Sequence, residues 1–387
     1  MIWVCPSPKA RFPWIRWFCA FLCAVAGCCS VAPVRAQNID LEKPLHSINE
    51  DVTAFAFGPD GRIVYSVRQL LKTKKYDLQR DDIWLQDAGG KRRRLLEGNK
   101  LVHSNPLFSY SVDSFRFAPD GHTILAELFV SLVTDDSGAT SDTQMALLLE
   151  DSGKLLKIAD SKDFLFEATH PGWLADSSTV AYLKEALKPH LLFSMFAFPY
   201  AVERARPVFE GRTFLDAAWF PRMNVALAVE RDRNLSGPPR LQRLNIALDA
   251  DQELATLDGF TGGLSISPSG KLCAYYIDNE VLEVRDLAAP NRVARVRIGL
   301  GVFQWSPDES RILLKRAPEK KSGELVWIDL PPLAVVPAGK SAAIVQPAPV
   351  PLFHNLAFRE FAISPDGRFL GLVAPGKRNL QVFPLSR

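Results

Sequence analysis

Ala56-Phe-Gly-Pro-Asp-Gly61 is the stretch that decides how this chain is read, because close variants of it return along the sequence. The copies are Arg116-Phe-Ala-Pro-Asp-Gly121, Gly172-Trp-Leu-Ala-Asp-Ser177, Ala218-Trp-Phe-Pro-Arg-Met223, Ser265-Ile-Ser-Pro-Ser-Gly270, Gln304-Trp-Ser-Pro-Asp-Glu309 and Ala362-Ile-Ser-Pro-Asp-Gly367. They recur at intervals of roughly fifty residues, the span of one supersecondary unit in a repeat protein. In each copy an apolar run stops at a turn whose chemistry is local. Proline presets φ at the second turn position, aspartate bonds nearby amides and glycine accepts positive φ. A unit of this size cannot bury both of its faces alone, so the repeats must stack on one another.

The first unit shows what is repeated. Val52–Phe57 and Ile63–Val67 flank the turn as two short strands. Asp82–Asp87, the Ala88-Gly89-Gly90 turn and Arg93–Leu96 add two more. Phe115–Phe117, Thr123–Leu128, Met145–Leu149 and Leu155–Ile158 repeat the order, as do Leu264–Ser267, Leu272–Tyr276, Val281–Asp286 and Val293–Ile298. Four antiparallel strands per unit, with no helical period between them, predict an all-β fold: a single seven-bladed β-propeller over residues 37–387. Phe57, Phe117, Trp173, Trp219, Ile266, Trp305 and Ile363 occupy one equivalent position and read as core between blades. The last unit ends at Arg387 one strand short, while Asn38–Ile48 is spare at the other end. Pairing of that segment with the last blade would close the ring and leave no open edge.

The turns and the Asp82-Ile-Trp-Leu-Gln-Asp-Ala-Gly-Gly90 strand resemble the TolB-type, WD-repeat-like propeller repeats of bacterial envelope proteins, which also build the propeller of prolyl oligopeptidases. The resemblance covers Asn38–Arg387. Ile363-Ser-Pro-Asp-Gly-Arg-Phe-Leu-Gly-Leu-Val-Ala-Pro375 is also similar to blades of the seven-bladed lactonase family. The resemblance implies a fold and an envelope setting. The third and fourth copies, Ala175-Asp-Ser177 and Pro221-Arg-Met223, depart from the pattern.

Residues 1–36 read as an export signal. Lys9, Arg11 and Arg16 lead into the apolar run Trp17–Ala26, too short to span a bilayer comfortably. Two processing routes fit. Val34-Arg35-Ala36 before Gln37 resembles a small-x-small cleavage site, and Val25-Ala-Gly-Cys28 resembles a lipobox that would lipidate Cys28. Five of the six cysteines fall in this leader, leaving Cys273 in an apolar strand pattern as a buried, inert thiol with no intramolecular partner. Loss of the four basic leader residues turns the formal net charge of +3 into −1. That balance argues against nucleic acid as a partner. The basic run Lys91-Arg-Arg-Arg94 is expected on an outer strand, where positive charge deters edge pairing.

Motifs for chemistry are sparse. There is no Gly-x-Ser-x-Gly elbow, no phosphate loop before a helix, and none of His46, His103, His122, His170, His190 or His354 has zinc-ligand spacing. No cofactor is implied. Thr134–Gly138 with Ser141 and Asp142 forms an acidic hairpin tip without EF-hand spacing. Propellers bind at one end of the central axis, where the residues leading into the innermost strands converge. Here those are Asp51, Asp113, His170, Asp216, Arg359 and Glu360, which would hold a small polar ligand, a metal, or a lactone undergoing general-base hydrolysis. The insertions Leu101–Val112, between the first and second units, and Pro331–Leu352, between the sixth and seventh, are candidate partner contacts. Leu191–Tyr200 reads as buried third-strand material. The expected function is a monomeric envelope protein that binds a protein or glycan, membrane-attached only through a lipid on Cys28. The alternative is a lactonase-like hydrolase.

Overall fold

The computed structural model describes residues 44–103, 105–133, 140–159, 168–187, 192–202, 204–316, 324–337, 339–353, 360–374 and 378–385, with backbone alone at 140, 157–159, 168–170, 186–187 and 353. All belong to the compact unit Gln37–Arg387. The leader and Cys28 lie outside the described residues, as do Arg359 and 134–139.

Among the described residues there is no α-helix, and one 3-10 turn, Gly98–Lys100. Strands run antiparallel to their chain neighbours. Unit 1 pairs Val52–Phe57, Ile63–Val67, Asp82–Gln86 and Arg92–Leu96 in that order. Unit 2 does the same with Phe108–Phe117, Thr123–Val133, Thr140–Glu150 and Leu155–Ala159. Units 3 and 4 form one eight-stranded sheet, but their junction is a single register pair, Phe193 with Phe214. Unit 5 spans Gly262–Ile266 to Arg292–Arg297, and unit 6 joins Val302–Trp305, Arg311–Arg316 and Glu324–Asp329 to Val350–Phe353.

The last sheet uses both ends of the chain. Glu360–Ile363, Phe369–Val373 and Leu380–Pro384 are completed by His46–Ile48, with His46 opposite Val382 and Ile48 opposite Leu380. The Leu45 amide extends the ladder to the Val382 carbonyl at 2.8 Å. Ile48 is buried with Val52 and Tyr65 of unit 1 and Val373 and Val382 of unit 7.

Sheets meet face to face through aliphatic and aromatic clusters. Each cluster holds one member of the expected column: Phe57, Phe117, Trp173, Trp219, Ile266, Trp305 and Ile363 fall in seven different clusters, each shared by two units. Packing is close enough to dictate residue size. A Cβ on Gly371 of unit 7 would lie 2.4 Å from the Phe55 ring of unit 1, so only glycine admits that ring.

The repeat turns behave as their chemistry requires. Gly61, Gly121, Gly270 and Gly367 have positive φ, and Ser177 and Glu309 adopt it at the same position without being glycine. Unit 4 differs, placing positive φ one residue earlier, on Arg222.

Two expected insertions are placed differently by the structure. Phe108–Val112 is not a free connector but the first half of the innermost strand of unit 2, with Leu101, Phe108, Tyr110 and Val112 buried against unit 1. Pro331–Leu352 does not join units 6 and 7. It lies within unit 6, between its third and fourth strands, and crosses to the outer edge of unit 5. There Ala334–Val335 pairs antiparallel with Arg292–Val293, and Ile344–Val345 pairs parallel with Arg295–Val296. Each contact is two residues long. Leu192–Pro199 is the third strand of unit 3, as its apolarity predicts, and Ser141 and Asp142 belong to the strand Thr140–Glu150. Cys273 is fully buried, and burial pushes its thiol up to about 12.

Candidate functional site

The residues leading into the innermost strands share one end of the sheets with the connections between second and third strands. This end is uneven. The second and third strands of unit 2 have 11 residues each, against 5 for Leu272–Tyr276 of unit 5, whose connection is the short turn around Asp278. At about 3.4 Å per residue, unit 2 stands about 20 Å taller. Unit 1 adds a separate hairpin, Leu70–Lys72 with Asp77–Gln79. The outcome is a mouth walled by units 1 to 3 and low at unit 5.

The innermost strands enter this mouth through irregular backbone. Register shifts lie between Val52 and Phe55, Val112 and Ser114, Thr169 and Gly172, Phe214 and Asp216, and Gly262 and Ser265. An extra residue in a strand re-aims the side chains around it. Asp113 and His170 fall within these bulges and Asp216 borders one. Asp113 is exposed, and His170 is placed by its backbone alone.

The remaining acids are committed. Asp216 is 3% exposed; Oδ1 accepts the Ala217 amide at 2.8 Å and Oδ2 accepts the Leu264 amide of unit 5 at 3.1 Å. Asp51 stands 3.4 Å from Arg378 Nε of unit 7 and 3.9 Å from Arg68 Nε of unit 1. Glu360 is half-buried at the start of its strand. Beside them the sequence reading missed two ion-pair groups on second strands, one at Glu230 in unit 4 and one at Glu127 in unit 2. Arg212 donates to both oxygens of Glu230 at 2.9 and 2.7 Å, with Arg240 Nη2 3.6 Å away. Glu127 accepts the Ser114 hydroxyl and lies 3.6 Å from Arg116 Nη2.

Asp81, also unforeseen, shows the price of burying such a group. Its Oδ2 accepts Thr53 Oγ1 at 2.6 Å and the Val112 amide at 3.0 Å, and its carbonyl accepts Tyr110 Oη at 2.6 Å. Burial raises its carboxyl above the ordinary value, although the bonds from Thr53, Val112 and Gln79 and the charge of Arg68 pull the other way. Its only sequence signal was an acid doublet, Asp81-Asp82, at the start of an apolar strand. Among the described side chains the mouth therefore offers paired charges, hydroxyls and a tall hairpin wall. Among the described residues, no three His, Cys, Asp or Glu side chains gather as a metal site.

No protein-family model and no curated protein sequence matches this chain. Solved structures do: 852 chains match, so the fold is widely shared and by itself carries no function. Among them is the β-propeller domain of Cps50 (Swd1) from Myceliophteria thermophila, with TM-score 0.51 over 88% of this chain and 100% of that one. At 9% identity the likeness is one of fold: an all-β propeller of repeated antiparallel units.

Proposed function

We propose that this protein is an exported, monomeric propeller of the TolB-type repeat class that binds an envelope protein or glycan through its uneven mouth, without catalysis. Seven blades follow if the eight-stranded sheet, held at its middle by one register pair, counts as two. A closed ring is supported by the strand His46–Ile48, which completes the last sheet while burying Ile48 against the first. The observation that carries the binding reading is the asymmetric wall of units 1 to 3, where the second and third strands of unit 2 have 11 residues each against 5 for the second strand of unit 5. Export, from the leader reading, would put that wall in the periplasm or at the cell surface.

The test is site-specific photo-crosslinking in cells. A crosslinker at Ser131 or Gln144, on the tall strands, should give one defined adduct, and one at Asp60 or Ser269, in turns at the opposite end, should give none. Adducts only from the turn positions, or from no position, would overturn the reading. Turnover of sugar lactones by the wild-type protein, lost in Glu360→Ala, would overturn its non-catalytic part. Intact mass separates a Gln37 terminus from a lipidated Cys28.

A further inference from the structure

The strap, residues 331–337 and 339–349, does more than cover an edge. Between it and the outer strands of units 4 and 5 lies a cavity of about 420 Å³, within the range of small-molecule sites. Its floor is charged and buried. Tyr275, Glu283 and Arg295 stand in direct register on three neighbouring strands of unit 5. Glu283 is 1% exposed and bridges two guanidiniums: Oε1 accepts Arg285 Nη2 at 2.5 Å and Oε2 accepts Arg295 Nε at 2.7 Å. Arg285 Nε also donates to Tyr275 Oη at 3.2 Å, and Arg295 Nη2 to Asp258 Oδ2 at 2.7 Å. Both arginines are more than nine-tenths buried and both line the cavity.

Fold stability does not account for this floor. On the opposite face of the same strands, Leu282, Val284 and Val296 pack aliphatically against unit 6. Replacing a buried ion network by such residues is often neutral or stabilising, because desolvation cancels the Coulombic gain. The network instead holds two guanidiniums rigidly: Arg285 donates from all three nitrogens, Nη1 to the Pro290 carbonyl, and only Arg295 keeps a nitrogen to spare. Each guanidinium has five N–H groups. The bonds made by Arg295 leave Nη1 without an acceptor among the described residues. Lys340, exposed on the strap, adds a third cation against the two acids Glu283 and Asp258. The excess is one positive charge.

We propose that this cavity binds a small hydroxylated carboxylic acid, an acidic monosaccharide being the type. A planar carboxylate matches the guanidinium fork. Thr256 and Asn291 in the wall can meet hydroxyls, and Pro290, Val293 and Val336 offer apolar surface to the C–H faces of a ring. A bare phosphate would leave most of the volume empty. The strap makes the site: Val336 N donates to Asn291 O at 2.8 Å, and Ser341 Oγ reaches Asp258 Oδ2 at 3.5 Å, so the roof is tied to the floor. The site is separate from the mouth and stands whether or not the mouth binds a partner.

Calorimetric titration with D-glucuronate tests it, with D-glucose and inorganic phosphate as controls. Arg295→Ala would strand Glu283 and endanger folding, so two variants outside the network are used. Lys340→Glu should weaken glucuronate about tenfold, the equivalent of about 1.4 kcal/mol. Ala342→Trp should abolish binding by bulk, with melting temperatures confirming that both variants are folded. Saturable glucuronate binding, with glucose and phosphate silent, is the expected result. Absence of saturable binding at millimolar glucuronate would overturn the proposal. So would glucose or phosphate binding as tightly as glucuronate, or both variants binding like the wild type.

Discussion

Asp216 accepts the backbone amide of Leu264 at 3.1 Å, so one carboxylate on the innermost strand of unit 4 holds the first residues of unit 5. Comparable bonds cross other junctions. Trp173 Nε1 donates to Arg116 O at 3.0 Å, Trp305 Nε1 to Ser265 Oγ at 3.1 Å, and Gln304 Oε1 accepts the Ile363 amide at 2.8 Å. The innermost strands are thus joined by side chains where no strand ladder connects them.

Asp216→Ala should therefore destabilise the fold. It strips an acceptor from a buried amide, which costs about 1–3 kcal/mol. Asp216→Asn keeps an oxygen in place and should cost less. Urea unfolding of both variants decides the matter. If Asp216→Ala is as stable as the wild type, the carboxylate is not a structural link and its place at the mouth must be explained by ligand.

The strand His46–Ile48 should contribute to global stability out of proportion to its length. Ile48 is 2% exposed, and truncating such a side chain to alanine costs about 2–5 kcal/mol. Deleting Gln37–Asn49 removes the whole pairing with Leu380–Pro384 and bares that strand's edge. Both changes should lower the melting temperature, the deletion more. An unchanged melting temperature in the deletion would show that the last sheet stands on three strands.

Arg222 carries positive φ of 57° in the turn of unit 4 and is exposed. The left-handed region costs a side-chain-bearing residue about 1–2 kcal/mol, and glycine gives part of that back as chain entropy. Arg222→Gly should thus stabilise by about 0.5–1 kcal/mol, a gain that Arg222→Ala would not reproduce. A denaturant midpoint shifted downward by the glycine would contradict the strain assigned to this turn.

How much of this was legible in the sequence depends on whether the signal was local. Pro59-Asp60-Gly61 and its copies announce themselves because turn chemistry is carried by three adjacent residues. The column from Phe57 to Ile363 follows from that alignment. The shift of positive φ to Arg222 was not legible, since Pro221-Arg-Met223 has no glycine to mark it. Nor was the route of the strap: Pro331 to Pro351 has no alternating pattern, and two-residue bridges to Val293 and Val296 leave no periodic trace. Glu283, Arg285 and Arg295 were hidden for the opposite reason. Charges at alternate strand positions suggest a solvated face, and only the neighbouring sheet and the strap make that face an interior.

The turn aspartates set the expected response to acid. Asp308 accepts Ser306 Oγ at 2.6 Å and the Ser310 amide at 3.2 Å, and these bonds hold its carboxyl below the usual value despite some burial. In Asp366 and Asp176 burial pushes upward most strongly. The bonds from Ser364 and Arg368 to the first, and from Ser178 and Thr179 to the second, outweigh it, and both carboxyls end below 3.8. A folded-state value below the unfolded one adds stability that is fully present above the unfolded value and is lost as pH falls through the folded one. Wild-type stability should thus decline steeply below pH of about 4. The triple change Asp176→Asn, Asp308→Asn and Asp366→Asn should be less stable than the wild type near neutrality and converge with it in acid. Asp81, raised by burial, titrates in the opposite sense but is common to both proteins and drops out of the comparison. Urea unfolding across this pH range measures the gap directly, and a gap that stays constant with pH would show that the ionised turn carboxylates are not what the folded state favours.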